Sequence, residues 1–237
     1  MQPLLVLWDV DYTLADTDGV GRRLYQIALA ELYGLDMPRL IRSMAGRTDS
    51  SIALEVLTAA GIADPAAEVG RFQQVLAAQS PGLDRLVRER GKALPGAAAA
   101  LAALAGPAYA GKVVQSVLTG NIPALAEVKL GGLGLTDHLD LEIGAYGDVS
   151  EIRADLVPVA RRKAADRYGA DFAGSATVLV GDTPSDVEAA ALTGARSVAV
   201  ATGSFSAQQL ADAGAGAVLT DLTDTAAVVA AILDGGP

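Results

Sequence analysis

Leu4-Leu5-Val6-Leu7-Trp8-Asp9-Val10-Asp11-Tyr12-Thr13 opens the chain with five apolar residues that stop on a carboxylate. A run this short and this apolar reads as a strand covered on both faces. The same punctuation returns along the chain. Val113–Leu118 runs into Thr119-Gly120-Asn121, Val178–Val180 runs into Gly181-Asp182, and Ser197–Ala201 and Ala217–Leu219 complete the set. Helical patterns lie between them at Ile122–Leu130, Ala154–Tyr168 and Pro184–Leu192. Strands alternating with helices predict an α/β fold, a parallel sheet wrapped by helices. In such sheets ligands bind beyond the carboxyl ends of the strands. Here those ends carry Asp, Thr and Asn.

The segment from about Asp16 to Lys92 breaks the rhythm. It reads as mostly helical with no convincing strand, and Arg22–Tyr33, Ser50–Ala60 and Ala66–Ala78 are its best helices. Asp18-Gly19 and Leu94-Pro95-Gly96 punctuate its two ends. The expected division is a core domain of residues 1–16 and 93–237 and an α-helical cap domain of residues 17–92.

Composition narrows the function. The chain has 237 residues, 51% of them hydrophobic but only 4% aromatic, and a formal charge of −10. A core built largely of small side chains should pack helices close to the sheet. The acidic balance speaks against a nucleic-acid partner, whose phosphates need clustered Lys and Arg. An acidic protein with an anionic substrate needs a local cation. There is no cysteine, which excludes thiolate catalysis and cysteine metal sites. The amino-terminal run lacks a basic n-region and is too short for a signal peptide. No stretch of about 18 apolar residues exists to span a membrane. A soluble, cytoplasmic protein is expected, without a membrane partner, as a monomer or homodimer.

Three strand-end motifs carry chemistry. Asp9 and Asp11 are one residue apart after the first strand, and two crowded carboxylates call for a cation. Alone, the stretch reads equally well as a turn with capping Asp and Thr. Thr119, Gly120 and Asn121 offer a hydroxyl and backbone N–H groups at the opening of a helix, suited to an anion. Alone, this is more simply an ordinary cap. Asp182 and Asp186, in Gly181-Asp182-Thr183-Pro184-Ser185-Asp186, are brought toward one end of a helix starting near Pro184. An acidic N-cap explains one of these aspartates better than both.

Together and in this order, the three motifs closely resemble those of the haloacid dehalogenase superfamily, over nearly the whole chain. Asp9 and Asp11 match its first motif, Thr119 its second, and Asp182 with Asp186 its acidic last motif. GDTPSD and Ala45-Gly46-Arg47-Thr48-Asp49 resemble the phosphoglycolate phosphatase-like group. The resemblance implies a doubly wound sheet and a mobile helical cap. It also implies a cation between the second and last motifs, usually Lys followed by Pro. No such pair exists here, and Arg153 is the best match, ahead of Lys129 and Lys163, which sit within helical patterns. Arg differs from Lys in reach and geometry, and the alternative is a solvated helix-surface arginine like Arg161 or Arg162. Tyr12 stands where the family often has Gly. His138, the only histidine, reads as a surface or cap residue, and Trp8 as core.

The resemblance implies a Mg²⁺-dependent phosphatase of small phosphorylated metabolites, phosphoglycolate-like monoesters. Asp9 would be the nucleophile and Asp11 the acid and base. Asp9, the backbone carbonyl of Asp11 and Asp182 would hold the metal, with Asp186 steadying its water shell. Thr119, with neighbouring backbone N–H groups, and Arg153 would hold the phosphoryl oxygens, and Arg47 would reach the leaving group. A β-phosphoglucomutase-like mutase would share all these residues. A 2-haloacid dehalogenase would need neither Asp11 nor Asp182, and a non-catalytic binding protein would not need the intact set.

Overall fold

The computed structural model describes residues 3–39, 41 and 43–234. Five parallel strands form the sheet, in the order β4-β1-β5-β6-β7. They are β1 (Leu4–Trp8), β4 (Val113–Val117), β5 (Thr177–Gly181), β6 (Arg196–Val200) and β7 (Ala217–Leu219); β2 (Ala15–Asp16) and β3 (Lys92–Ala93) pair antiparallel on their own. The helices are α1 (Val20–Tyr33), α2 (Asp49–Ala59), α3 (Pro65–Gln79), α4 (Asp84–Arg90), α5 (Ala97–Leu104), α6 (Pro123–Gly132), α7 (Leu156–Tyr168), α8 (Pro184–Thr193), α9 (Ala207–Asp212) and α10 (Thr225–Asp234).

Period-two alternation sorts each strand onto two cores. Val6 and Trp8 of β1 join Val178 and Val180 on one face, under α5, α6 and α10. Leu5 and Leu7 join Leu179 on the other, under α7 and α8. Helices thus cover both faces, which is why the strands read as unbroken apolar runs. β1 lies between β4 and β5 in register. The chain departs from β1 to either side, so the carboxyl end of β1 is the point where the winding reverses, the expected place for a ligand.

Between β2 and β3 the helices α1 to α4 share an apolar cluster of their own. Leu24, Tyr25, Ile52, Val56, Phe72 and Leu76 pack there, and Ile122 and Leu125 of the α6 region join them. The two-residue β2 and β3 stand at the edges of this helical segment, where the sequence reading found no strand. Such short ladders leave no periodicity to read.

One expectation is overturned by packing. Arg161 is not a solvated surface arginine. Its guanidinium donates to Thr177 Oγ1 at 3.0 Å, to the Thr193 carbonyl at 2.9 Å and to the Gly174 carbonyl at 3.0 Å. It ties the end of α8 to the start of β5. Arg162 and His138 are exposed, and Trp8 is fully buried.

Candidate active site

Asp9 is fixed by continuation of the sheet. Its N–H donates to the Val180 carbonyl at 2.8 Å, while Leu118 N–H donates to the Trp8 carbonyl at 2.9 Å. The ends of β1, β4 and β5 are thereby level, and the carboxylates that follow β1 and β5 meet. One oxygen each from Asp9, Asp182 and Asp186 lies within 4.8 Å of the others, and all three residues are buried.

Asp186 is set by a capping box that starts α8. It accepts from Thr183 N–H at 3.1 Å and from Thr183 Oγ1 at 2.7 Å, while the Thr183 hydroxyl caps the Asp186 amide. Its other oxygen takes Arg153 Nη2 at 2.7 Å. Both Asp186 oxygens are therefore engaged in holding the turn and the arginine. Arg153, in a short 3-10 turn ahead of α7, also reaches Asp9 Oδ1 at 3.0 Å and the Leu118 carbonyl at 3.2 Å. Burial pulls its ionisation down, but Asp186 and Asp9 outweigh that and hold it charged. Lys163 lies elsewhere, donating to the Gly144 carbonyl at 2.7 Å.

The charge balance leaves room for a cation. Burial pushes Asp182 up to about 8, with Asp9 and Asp186 adding to the rise and Arg153 opposing it. Burial likewise pushes Asp9 up to about 6, against the pull of Arg153. Asp182 Oδ2 is buried with no hydrogen-bond partner among the described residues. A Cβ on Gly203 would lie 1.8 Å from that oxygen, so only glycine lets the carboxylate sit there. An orphaned carboxylate oxygen beside two further carboxylates fits a hard divalent cation such as Mg²⁺.

A second network lies beside the first. Asn121 Nδ2 donates to Asp11 Oδ2 at 2.8 Å and to Thr119 Oγ1 at 2.7 Å. Lys129 Nζ donates to Asp11 Oδ1 at 2.7 Å, to Asp11 Oδ2 at 2.6 Å and to Asn121 Oδ1 at 2.8 Å. Lys129 stands near the end of α6, but helical side chains lean back toward the N-terminus, and this one reaches the site. Its place within a helical pattern had ranked it below Arg153; the sequence signal that would have found it is a lysine following a strand-end motif by two helical turns.

The helical segment supplies the far wall. Asp49 N–H donates to the Gly120 carbonyl at 2.7 Å, and Ser50 N–H to the Gly147 carbonyl at 2.8 Å. A Cβ on Gly120 would meet the Arg47 carbonyl at 1.9 Å. The Asp49 carboxylate accepts from Ile122 N–H at 2.7 Å and from the Tyr25 hydroxyl at 2.6 Å. Burial pushes it up to about 6, and those two hydrogen bonds oppose the rise. This changes the expected anion site. α6 starts at Pro123, which has no N–H, and the amide before it is taken by Asp49. Asp49 had no assigned role because its partners are distant in sequence. The Arg47 guanidinium pairs with Glu55 at 2.5 Å and donates to the Ser51 carbonyl at 2.9 Å. Both partners belong to α2, the helix that follows it, and Arg47 also lines the cavity described below. A cavity of about 440 Å³ joins these groups, lined by Asp9, Asp11, Thr119, Lys129, Arg153 and Asp182 among others.

Carboxylates thus converge where the winding of the sheet reverses. A family model described as HAD-hydrolase-like matches residues 153–225. A hydrolase from Pseudomonas syringae is 21% identical over 95% of this chain and 97% of its own, with a TM-score of 0.66. A candidate β-phosphoglucomutase from Bacteroides vulgatus is 17% identical over 99% and 90%, also at 0.66. A candidate phosphatase from Clostridium acetobutylicum is 16% identical over 97% and 99%, at 0.64. At these identities the likeness is one of fold. No curated protein matches the chain. The matched segment runs only from Arg153 to Thr225, in the carboxyl-terminal part of the sheet domain. No helix among the described residues is long and apolar enough to cross a membrane.

Proposed function

We propose that the protein is a Mg²⁺-dependent phosphatase of small phosphate monoesters, with Asp9 as nucleophile. The observation that carries this is the buried Asp9–Asp182–Asp186 cluster, with its orphaned Asp182 oxygen, beside a buried arginine at the cavity. Asp9, the Asp11 carbonyl and Asp182 would hold the metal, which would neutralise charge on the phosphoryl group. Asp186 supports the site by holding Arg153.

An Asp9 oxygen attacks phosphorus as the bond to the leaving alcohol breaks, giving an aspartyl phosphate. Arg153 and Thr119 hold the phosphoryl oxygens. Asp11 gives its proton to the leaving oxygen. It then takes a proton from the water that attacks phosphorus and releases Asp9 and inorganic phosphate. The helical segment acts as a cap that excludes bulk water.

The test is a panel of small phosphate esters with and without Mg²⁺. Turnover should require Mg²⁺, and Asp9→Asn should abolish both turnover and covalent labelling. Asp11→Asn should still bind metal but lose about 10²–10⁴-fold in kcat, the scale for removing a general acid–base. Undiminished turnover in excess chelator overturns the reading.

A further inference from the structure

We propose that Lys129 is a positioning residue for Asp11, fixing the carboxylate at the angle from which it serves the leaving group. The inference rests on the phosphatase reading above and adds a residue to it. An ammonium has three N–H donors and no acceptor. Here three contacts go to the two Asp11 oxygens and to Asn121 Oδ1, at 2.6–2.8 Å. Burying such a charge is costly unless it is paired, and the Lys129 side chain is 3% exposed against 35% for that of Asp11.

That asymmetry assigns the roles. Asp11 is the group presented to the cavity, and Lys129 is the wall behind it. A substrate cannot displace Asp11 from Lys129 without removing its own acid, so the lysine acts through the aspartate. Asn121 completes the hold from the side. Its amide nitrogen donates to Asp11 and Thr119, and its carbonyl accepts from Lys129. The proposed acid and the phosphoryl-binding hydroxyl are thus joined by one amide. A carboxylate held at both oxygens has lost its torsional freedom before substrate arrives, which is what placement of a catalytic group requires. A salt bridge with a purely structural role would also be buried, but it would not discriminate between leaving groups.

The absence of cysteine permits a clean test. Lys129→Cys introduces a unique thiol, and alkylating it with bromoethylamine in denaturant, before refolding, restores an ammonium at nearly the lysine position. Each form is assayed on an alkyl phosphate, whose leaving group needs a proton, and on p-nitrophenyl phosphate, whose leaving group does not. For Lys129→Cys and for Lys129→Met, kcat on the alkyl ester should fall by about 10²–10³-fold, the lower part of the general-acid range. KM should change little. With the aryl ester the first turnover should survive and the aspartyl phosphate should accumulate, because its hydrolysis needs Asp11 as base. Aminoethylation should recover most of the lost rate.

Equal losses of the first turnover on both esters overturn the proposal, as does a loss confined to KM, which would make Lys129 a substrate ligand. So does a refolded, aminoethylated protein that binds Mg²⁺ but stays as slow as the thiol form. A wild-type protein inactive on every ester would instead overturn the phosphatase reading itself.

Discussion

Lowering the pH should weaken Mg²⁺ binding, and the structure sets by how much. Asp182 and Asp9 are pushed up to about 8 and about 6, so a metal entering between them must displace protons. Both carboxyls have folded values above their unfolded ones. Between about pH 4 and pH 8 the metal-free native state therefore binds more protons than the unfolded chain, and its stability falls as pH rises through that window. Mg²⁺ favours the ionised forms and has the opposite dependence. Going from about pH 8 to about pH 6 protonates most of Asp182 and about half of Asp9, which weakens binding on the order of 10²-fold by simple competition. At Mg²⁺ well above its dissociation constant, this removes about 3 kcal/mol of metal-induced stabilisation. For a chain of this size that is roughly 6–12 °C in the Mg²⁺-induced rise of Tm. Calorimetry with and without Mg²⁺ at the two pH values measures it. Asp182→Asn should flatten the dependence. A rise of equal size at both pH values, or a full dependence in Asp182→Asn, refutes the assignment of Asp182 as a ligand that gives up a proton to metal.

Two further expectations concern the backbone around the site. Tyr12 has φ 56°, a left-handed conformation disfavoured for β-branched residues, so Tyr12→Val should be about 1–2 kcal/mol less stable than Tyr12→Gly by urea unfolding. Both changes remove the ring, so the difference isolates the backbone. Gly120→Ala places a Cβ against the Arg47 carbonyl and should cost about 1–3 kcal/mol. The amides of Asp49 and Ser50 should exchange faster in that variant, read by hydrogen exchange.

The sheet was legible because its strands are covered on both faces and announce themselves as apolar runs. The starts of β1, β4 and β7 fall where the apolar runs begin, but those of β5 and β6 do not. β5 begins one residue earlier than the apolar run, at Thr177, whose hydroxyl donates to the Phe172 carbonyl and accepts from Arg161. Those partners lie outside the strand, so its local pattern does not report them. The same division runs through the site. Asp9, Asp182 and Asp186 end or follow adjacent strands, so their convergence follows from the topology alone. Arg153 could be placed by its position between motifs, though its grip on Asp186 could not. Lys129 and Asp49 carry no such local mark. Lys129 belongs to the site because its stem runs back along α6. Asp49 belongs because the helical segment lies down on Gly120 and Gly147, an approach decided by tertiary packing. The pairing of Arg47 with Glu55 was not legible either, since Glu55 lies eight residues away, on the helix that follows its turn.

The β2–β3 pair has a meaning for how such a chain diversifies. Ala15 is partnered with Ala93 and Asp16 with Lys92, and Lys92 Nζ lies 3.3 Å from Asp16 Oδ2. Entry to and exit from the helical segment are therefore side by side, one strand spacing apart, a few residues beyond Asp9. Whatever is threaded between those two points sees a fixed doorway and leaves β1 undisturbed. Evolution can exchange the whole intervening cassette, or lengthen it, while the carboxylates behind the doorway keep their places. Under the phosphatase reading proposed above, a change of ester preference then requires no change at the reacting end of the sheet.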